Sequence, residues 1–331
     1  MKVAVVLLNW NGRKLLEQFL PALTRHTIDA DLWVIDNAST DDSIDFIKNH
    51  YPSIGVVSLD QNYGFAAGYN KGLAHIDADL YALVNTDIKV TTGWLAPVVS
   101  HFEKHPKTVA AQPHILDFKN KACFEYAGAA GGFIDRYGFA FCRGRVFDHI
   151  EKDQGQFDAD TTVFWASGAC FFVRAQAFKK QNGFDSDFFA HQEEIDLCWR
   201  FQNQGHQIYS IGASKVYHLG GATLAPSPRK TFLNFRNSLF MLVKNLPKKQ
   251  LISVLFMRLV FDGIAGIHFL LRGKPVHCSA IIKAHWHFYR AFRKMFVKRS
   301  KRSLSQYHST NSVVIKYFIH KKKKYKDIVS F

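Results

Sequence analysis

The sequence predicts an α/β fold: a doubly wound, mostly parallel sheet followed by a basic helical extension. Short apolar runs alternate with amphipathic segments through the first third of the chain, and the connections between them are short. This alternation favours parallel strands, because the chain must cross over through a helix before the next strand can pair. The apolar runs also end at polar residues, which matters because ligands of such sheets bind at the carboxyl ends of the strands.

The strands and helices can be assigned in order. Residues 2–8 are a continuous β-branched and leucine run, typical of a strand buried on both faces. Further strands are predicted at residues 32–35, 55–59, 80–84 and 109–112. Helical spacing of apolar residues predicts helices after the first three strands, and another helix opens at Trp94 and Leu95. These units account for the predicted sheet.

The middle of the chain is less regular. Residues 117–160 contain six glycines among aromatic residues, which fits either a mobile acceptor-side loop or a twisted hairpin. Residues 165–173 predict a buried strand, and a turn is expected at residues 183–185. A helix is then predicted to begin near Glu193, since Asp196 and Arg200 stand at i and i+4 beside alternating apolar residues.

Polar residues recur where the first four strands end. They are Asn9 and Asn11, Asp36 and Asn37, Asn62, and Asn85 with Asp87. One polar loop would be unremarkable, but four in succession outline a crevice at one edge of the sheet. The first strand is not followed by GxGxxG, and the chain contains no GxxxxGK[ST], which disfavours nicotinamide and P-loop nucleotide binding.

Three acids crowd together in the stretch Phe188–Arg200, namely Glu193, Glu194 and Asp196. Like charges this close raise one another's pKa, so a fold normally disperses them. The pattern fits either an acidic helix N-terminus or a site for proton transfer or cation binding. Asp196 and Arg200 could also form a surface ion pair.

The net positive charge of the chain comes from its last third. The whole sequence carries a formal net charge of +16. From Arg229 onward 23 Lys and Arg accompany only Asp262 and Asp327, so residues 229–331 carry +21 and residues 1–228 carry −5. Five scattered cysteines without a CxxC pair, and a first strand with no cleavage site after it, predict a cytosolic protein with reduced thiols.

Seven motifs in register resemble those of bacterial family 2 glycosyltransferases, most closely a rhamnosyltransferase-like branch that builds surface polysaccharide. They are residues 6–12, 36–41, 62–70, 85–87, 167–169, 183–185 and 193–197. The resemblance covers roughly residues 3–245. It implies a GT-A domain over residues 1–228, with a nucleotide-sugar half at about 1–112 and an acceptor half at about 113–228.

The resemblance also implies a reaction. Such enzymes move a sugar from a nucleotide diphosphate donor to an acceptor hydroxyl with inversion, assisted by Mg²⁺ or Mn²⁺. Rhamnose from its thymidine diphosphate is the donor that the branch suggests, and the acceptor would be a glycan or a lipid-linked saccharide. Two alternatives stay open: a nucleotidyltransferase, although Asn9–Gly12 is not a basic triphosphate loop, and a non-catalytic module that binds nucleotide or lipid.

Roles are implied for individual residues. Asp36 would bind the base or ribose. The predicted nucleotide-sugar pocket further includes Asn9, Asn11, Asn37, Asp41, Asn62, Gly64, Gly68, Asn70 and Asn85. Asp87 and His218 would hold the metal, with Asn85 in place of the first acid of an Asp-x-Asp motif. Glu194 would be the general base, with Glu193 and Asp196 as supporting acids.

Three of these residues have structural alternatives. Trp165 and Asp185 would contact the acceptor, but a core tryptophan is at least as common as one that stacks on a sugar. His218, beside apolar residues, could equally be a core histidine. Ser39 and Thr40 are better explained as helix caps than as ligand contacts.

The extension, residues 229–331, predicts peripheral association with the anionic inner face of the plasma membrane. Residues 251–271 are long enough to span a bilayer, but Arg258, Asp262 and His268 interrupt them. This favours a helix at the bilayer interface or one buried against the core. Residues 285–302 interleave aromatic rings with bases, which suits anionic headgroups. Nucleic acid is the less favoured partner, and the lysines at 321–324 and 326 fit a solvated tail.

Overall fold

A computed structural model describes residues 1–220 and 227–329. The strands in these ranges are β1 (Val3–Asn9), β2 (Asp31–Asp36), β3 (Gly55–Ser58), β4 (Leu80–Val84), β5 (Ile88–Val90), β6 (Thr108–Asp117), β7 (Gly132–Ile134), β8 (Ala140–Cys142), β9 (Arg145–Val146), β10 (His149–Ile150), β11 (Thr161–Thr162), β12 (Cys170–Arg174) and β13 (Gln207–His218). The α-helices are α1 (Arg13–His26), α2 (Ser43–His50), α3 (Gly64–Leu73), α4 (Ala96–Lys104), α5 (Ala175–Lys180), α6 (Glu193–Asn203), α7 (Pro228–Asn245), α8 (Leu251–Leu271), α9 (Pro275–Val297) and α10 (Tyr325–Val329).

The main sheet is mixed and mostly parallel. Its order is β11-β13-β6-β12-β4-β1-β2-β3, with β5 paired to β13. Strands β3, β2, β1, β4, β6 and β13 run in one direction, while β12 lies antiparallel between β4 and β6. The carboxyl ends of the parallel strands and the start of β12 therefore share one edge of the sheet.

Helices cover both faces of the sheet, as predicted for a doubly wound fold. Along β1 the buried side chains alternate: Ala4 and Val6 belong to one hydrophobic cluster, and Val5 and Leu7 to the other. The first cluster contains residues of α3, α5, α6 and α7, and the second contains residues of α1, α2 and α4. This two-sided burial explains the continuous apolar runs of the strands.

Residues 117–160 form twisted hairpins, the second of the two predicted alternatives. β7 to β10 make a separate four-stranded antiparallel sheet. The strand expected at 165–173 begins only at Cys170. The preceding residues bond elsewhere, because Trp165 O accepts from Gly132 N at 3.0 Å and Ser167 Oγ donates to Ala127 O.

The C-terminal third is continuous with this core. The predicted boundary at residues 228 and 229 coincides with the start of α7, but Leu239 and Leu242 of α7 belong to the same cluster as the sheet residues. α8 and α9 follow as a helical pair. After α9 the chain returns to the small sheet, where Val313 and Ile328 pack against Phe141.

Candidate active site

The ends of β1 and β2 place Asn9 and Asp36 side by side in the sheet register. Asn9 Nδ2 donates to Asp36 Oδ1 at 3.4 Å and to Ser39 Oγ at 3.1 Å. Asp36 Oδ2 accepts from Ser39 N at 3.1 Å. Both residues are buried, and Asn9 Oδ1 has no hydrogen-bond partner among the described residues. The pair therefore has a fixed orientation and keeps acceptor capacity for a ligand.

Asn37 joins the loops after β2 and β3. Its Nδ2 donates to Asn62 Oδ1 at 3.0 Å and to Gly64 O at 3.1 Å, while its Oδ1 accepts from Tyr63 N at 2.9 Å. Gly64 has φ +73°, and a Cβ there would lie 2.6 Å from the Phe189 ring. A side chain is excluded by both constraints. Gly64 thus allows Phe189 of the same chain to pack closely against it.

Three predicted donor-site residues have hydrogen bonds that explain them structurally. Asn11 Oδ1 accepts from Thr40 N at 2.7 Å, and Asp41 Oδ2 accepts from Arg13 N at 3.1 Å. Asn70 donates from Nδ2 to Phe184 O at 2.7 Å and accepts at Oδ1 from Phe184 N at 3.0 Å. These bonds join neighbouring loops. Ligand contacts by the three residues remain predictions.

Asp87 and His218 meet at the next part of the edge. β13 pairs with β5 so that His218 lies opposite Ile88, and Leu219 N donates to Asp87 O at 3.0 Å. His218 Nε2 lies 3.2 Å from Asp87 Oδ1, and Nδ1 lies 3.1 Å from Glu125 Oε2. The imidazole is therefore held between two carboxylates, and all three side chains are buried.

This arrangement makes His218 a charged residue in the absence of a metal. Burial alone would lower the pKa of His218, but hydrogen bonding and charge attraction from Asp87 and Glu125 outweigh it and raise the pKa to about 10. The side chain is buried with both ring nitrogens facing carboxylates, so its role as a metal ligand or as a core histidine stays a prediction. A divalent cation would have to displace the proton between Nε2 and Asp87.

The residues nevertheless fit a cation. Two ligands on one small divalent ion lie about 3 Å apart, close to the Asp87–His218 separation. Glu125 on the opposite ring nitrogen would fix the tautomer that leaves Nε2 free, as carboxylates do behind many metal-bound histidines. Within the described ranges no cluster of three or more His, Cys, Asp or Glu could hold a metal alone. Oxygens of the bound nucleotide-sugar donor would therefore have to complete the coordination shell.

Glu194 lies beside the start of β12. Asn85 N donates to Ala169 O at 3.0 Å, which joins the segment carrying Asp87 to residues 167–169. A Cβ built on Gly168 would lie 3.7 Å from Glu194 Cδ and 3.5 Å from the Phe65 ring. Glu194 is thus at the same sheet edge as Asp87, linked through two short backbone segments.

Glu193 is buried and Glu194 is half-buried, and no ion pair joins either carboxyl to a cation among the described residues. Glu193 Oε2 and Glu194 Oε2 each lack a hydrogen-bond partner among the described residues. Burial raises the pKa of Glu194 to about 7, against the opposing effect of nearby backbone N–H groups, including that of Gly168. Burial and repulsion from Glu194 raise the pKa of Glu193 well above its ordinary value. A carboxyl with these properties can exchange a proton near neutral pH.

Asp196 has the opposite environment, and its predicted surface pairing is wrong. The Arg200 contact exists, with Nε donating to Asp196 Oδ2 at 2.9 Å, but the carboxylate is fully buried. Lys244 Nζ of α7 donates to the same oxygen at 2.7 Å, and Asn245 Nδ2 donates to Oδ1 at 2.8 Å. Both carboxylate oxygens of Asp196 hold α6 against α7.

Asp185 belongs to the same ionic cluster. Lys244 Nζ lies 2.7 Å from Oδ2 and Lys298 Nζ lies 2.6 Å from Oδ1. Burial would raise the pKa of Asp185, but the two ammonium groups outweigh it and hold the pKa well below its ordinary range. Trp165 is 4% exposed and donates from Nε1 to Phe133 O at 3.0 Å, which supports the core alternative. Acceptor contacts by these residues stay predictions.

The backbone before α6 is unusual. Phe189, His191 and Gln192 have φ of 64°, 71° and 70°, a region that such residues rarely adopt. Asn237 Nδ2 of α7 donates to the carbonyls of Phe188, Ala190 and His191 at 2.8 to 2.9 Å. Phe189 O accepts from Phe65 N at 2.8 Å. α7 therefore holds the turn that presents Glu194.

Two of these residues were missed in the sequence. Glu125 lies in the irregular segment 117–160, where no periodicity marks it. Asn237 lies in a helix whose composition points to bases and rings rather than to the site. His218 lies near residues 221–226, and the glycine at 221, part of the motif around His218, falls outside the described residues.

Comparison with known proteins agrees with this geometry. The family model described as glycosyl transferase family 2 matches residues 4–181. A curated relative, the N-acetylglucosaminyl-diphospho-decaprenol L-rhamnosyltransferase of Mycobacterium tuberculosis, is 24% identical over 233 residues, covering 65% of this chain and 75% of the relative.

Solved structures resemble the fold. TarS residues 1–349 of S. aureus, crystallised with UDP-GlcNAc, has a TM-score of 0.58 at 14% identity, covering 90% of this chain and 84% of that one. GalNAc-T7, crystallised with UDP, GalNAc and Mn²⁺, has a TM-score of 0.57 at 14% identity. The match covers 75% of this chain but only 48% of GalNAc-T7. The predicted GT-A architecture is confirmed.

Proposed function

Because this chain belongs to glycosyl transferase family 2 and is a glycosyltransferase, we propose that it transfers a sugar from a nucleoside diphosphate to an acceptor hydroxyl with inversion. The observation that carries this proposal is the carboxyl of Glu194, whose Oε2 is buried without a hydrogen-bond partner among the described residues, at the same sheet edge as Asp87 and His218. A base on one side and a diphosphate-binding group on the other are what a single displacement requires.

In the proposed step Glu194 accepts the proton of the acceptor hydroxyl. The hydroxyl oxygen forms a bond to the anomeric carbon as the bond from that carbon to the diphosphate oxygen breaks. The nucleoside diphosphate leaves with both electrons of the broken bond, and the sugar configuration inverts. Burial helps, because it raises the basicity of Glu194 compared with a carboxylate in water.

Asp36 and Asn9 form the proposed nucleoside pocket. Their mutual hydrogen bonds orient a carboxylate that can accept from an imide N–H or a ribose hydroxyl. Asn37 and Asn62 hold the adjacent loop after β3. This preorganisation means that few side chains need to be ordered when the donor binds.

Asp87 and His218 are the proposed residues for Mg²⁺ or Mn²⁺. When bound, the cation would neutralise negative charge on the diphosphate. Glu125 orients His218 through Nδ1, and Asn85 contributes its backbone to position the segment. The Mn²⁺ found with GalNAc-T7 supports a divalent cation in this fold, without identifying the ion used by this chain.

Glu193 and Asp196 support Glu194 in different ways. The raised pKa of Glu193 favours its protonated form and reduces repulsion against a Glu194 carboxylate. Asp196 positions α6 through Lys244 and Asn245 and does not need to contact substrate. We propose rhamnose, from its thymidine diphosphate, as the donor sugar, because a curated relative is named as a rhamnosyltransferase with a diphospho-decaprenol acceptor.

A thermal-shift screen of nucleotide sugars with and without Mn²⁺ tests the donor. We expect dTDP-rhamnose to raise the melting temperature more than UDP-GlcNAc or GDP-mannose, and only with metal present. The product of a transfer assay should have the opposite anomeric configuration to the donor by NMR. Retention of configuration, or turnover undiminished by chelation of divalent metal, would contradict the proposed step.

A further inference from the structure

In the helical pair α8–α9, helix α8 exposes apolar side chains and buries its charged ones. In α8 no exposed side chain is Asp, Glu, Lys or Arg, and the exposed side chains are Ile252, Ser253, Phe256, Val260, Ile264, Ile267, His268, Leu270 and Leu271. Two of them, Ile252 and Leu271, are 84% and 83% exposed. The charged residues within α8, Arg258 and Asp262, are instead 4% and 0% exposed. A helix on a water-facing surface normally has the reverse arrangement.

The buried charges are firmly held by the protein. Arg258 Nε donates to Asp262 Oδ1 at 2.7 Å, and Arg258 Nη2 donates to Ser238 Oγ of α7 at 2.6 Å. His285 Nε2 of α9 lies 3.0 Å from Asp262 Oδ2. The inward face of α8 is therefore locked to α7 and α9. It could not enter a bilayer without breaking this network.

The two helices are antiparallel. Asp262 contacts His285, and the Phe269 ring stacks on His277 at 4.9 Å, so contacts run in opposite directions along the chain. Exposed residues of α9 and of the turn before it include rings and cations as well as the apolar Ile282. The rings and cations are Arg272, Lys274, Lys283, Trp286, Tyr289, Arg290 and Arg293. Arg290 Cζ lies 4.6 Å from the Trp286 ring centroid.

We propose that the α8–α9 pair is a monotopic membrane-binding surface. Its apolar α8 face inserts into the boundary between headgroups and acyl chains of a bilayer that contains anionic phospholipid, and its cations contact the headgroups. Such surfaces combine an apolar stripe with basic and aromatic residues. Among the described residues, the segment Lys248–Leu271 is long enough to span a bilayer and contains an 18-residue window of mean hydropathy 1.8. Its buried ionic network nevertheless favours an orientation in the plane of the bilayer.

The net charge and the apolar face of this surface favour an anionic bilayer over a second copy of the chain or nucleic acid. Residues 251–297 contain seven Lys and Arg and one Asp, a balance of +6, so a second copy of this pair would be repelled, whereas an anionic bilayer would be attracted. Nucleic acid would satisfy the cations but would leave the apolar α8 face exposed to water. A bilayer is the partner that satisfies both features of the surface.

The surface is also tied to the acidic segment. Lys294 Nζ of α9 lies 2.6 Å from Asp187 Oδ1, and Lys298 Nζ lies 2.6 Å from Asp185 Oδ1. These aspartates precede the turn that presents Glu194. A lipid-linked acceptor in the same bilayer would therefore be held near the site, a consequence that rests on the proposed function, although lipid binding itself does not.

Sedimentation with vesicles tests the surface, using the full chain with phosphatidylcholine vesicles and with mixed phosphatidylcholine and phosphatidylglycerol vesicles. The double variant Ile264→Glu, Ile267→Glu should partition at least about tenfold less onto both, because two exposed apolar side chains no longer insert. The matched control is Ile28→Glu, whose side chain is 85% exposed in the α1–β2 loop. It should bind like the unaltered chain.

A second variant separates charge from insertion. Lys283→Gln with Arg290→Gln should lose about fivefold per cation on the anionic vesicles and change little on phosphatidylcholine alone. If the glutamate pair bound as well as the control, insertion of the α8 face would be wrong. If the chain ignored vesicles and the glutamate pair converted a dimer into a monomer by sedimentation velocity, a second copy would be the occupant and the proposal would be overturned.

Lipids brominated at different depths then locate the surface. Quenching of Trp286 fluorescence should be strongest for bromines near the headgroups and should disappear in Trp286→Phe. Strongest quenching at the bilayer centre would contradict an in-plane helix. The thermal shift caused by dTDP and Mn²⁺ should be the same in all these variants, so failure of membrane binding is distinguishable from failure of the proposed function.

Discussion

The acids of residues 185–196 fall into two groups that lie within a few residues of each other. Asp185 and Asp196 are both paired with Lys244, which joins their segments to α7. Glu193 is buried and Glu194 is half-buried, and each has a carboxylate oxygen without a hydrogen-bond partner among the described residues. The difference shows that crowding of acids alone does not define a site. The position of the neutralising cations does.

The largest expected effect is on sugar transfer, when Glu194 is replaced. Glu194→Gln should reduce sugar transfer by about 10²- to 10⁴-fold, because the amide cannot take the acceptor proton. The thermal shift produced by donor and Mn²⁺ should be unchanged, since donor binding does not use this carboxyl. Radiolabel transfer and melting curves measure the two quantities.

The control for Glu194→Gln is Glu103→Gln, whose carboxylate is 54% exposed near the N-terminus. It should transfer sugar at the unaltered rate. Glu194→Gln at full activity would remove the base from this mechanism while leaving family membership intact, and loss of the donor-induced shift would assign Glu194 to binding instead.

The next largest effect is expected for Asp196, one of the two acids that are paired with a lysine. Asp196→Asn should lower the free energy of unfolding by about 3 to 5 kcal/mol, because Lys244 and Arg200 lose a buried anionic partner. Urea denaturation measures this loss. Asp45→Asn, an exposed acid of α2, is the control and should unfold at the unaltered urea concentration. Below the transition, the donor-induced thermal shift should persist, since Asp196 positions α6 and does not contact donor.

A smaller effect is expected at Glu125, which lies behind His218. Glu125→Gln should raise the Mn²⁺ concentration for half-maximal transfer by about 10- to 100-fold, because an outer partner that orients a histidine ligand is lost. Saturating Mn²⁺ should restore most of the rate. If the rate fell without any change in the metal requirement, Glu125 would be a structural residue and not one that positions His218.

Much of this site could be predicted from sequence because its signals are local. Asp36 and Asp87 follow apolar strands directly, and parallel strands bring such residues to one edge. Glu194 stands in a short acidic motif. The extension was predicted to be helical, and α8 has the predicted bounds of 251–271.

The remainder depends on tertiary pairing, for which the sequence has no local signal. Asp196 and Arg200 fit a surface pair at i and i+4, but Lys244 arrives from another helix and buries the pair. Arg258 and Asp262 interrupt an apolar run, yet only the packing of α7 and α9 shows that they point inward. Glu125 contacts His218 across a long interval of irregular chain.

The last prediction uses pH to set the two groups of acids against each other. Glu194 must be ionised to accept a proton, and its pKa is raised to about 7. The transfer rate should therefore rise about tenfold per pH unit below neutrality and level off above it. An unburied glutamate would give a profile that is already flat at pH 6.

The contribution of Glu194 to stability should fall with rising pH over the same range in which the transfer rate rises. A carboxyl whose pKa is higher in the folded than in the unfolded chain contributes stability that is complete below the unfolded value and is lost as pH rises through the folded value. Glu194 follows that rule, whereas Asp185, with its lowered pKa, loses its contribution only as the pH falls below the ordinary aspartate range. From pH 5 to pH 8 the melting temperature of the unaltered chain should thus decline relative to that of Glu194→Gln. Equal slopes in the two proteins would mean that Glu194 ionises as it does in the unfolded chain, and the contrast between its environment and that of Asp185 would have no energetic consequence.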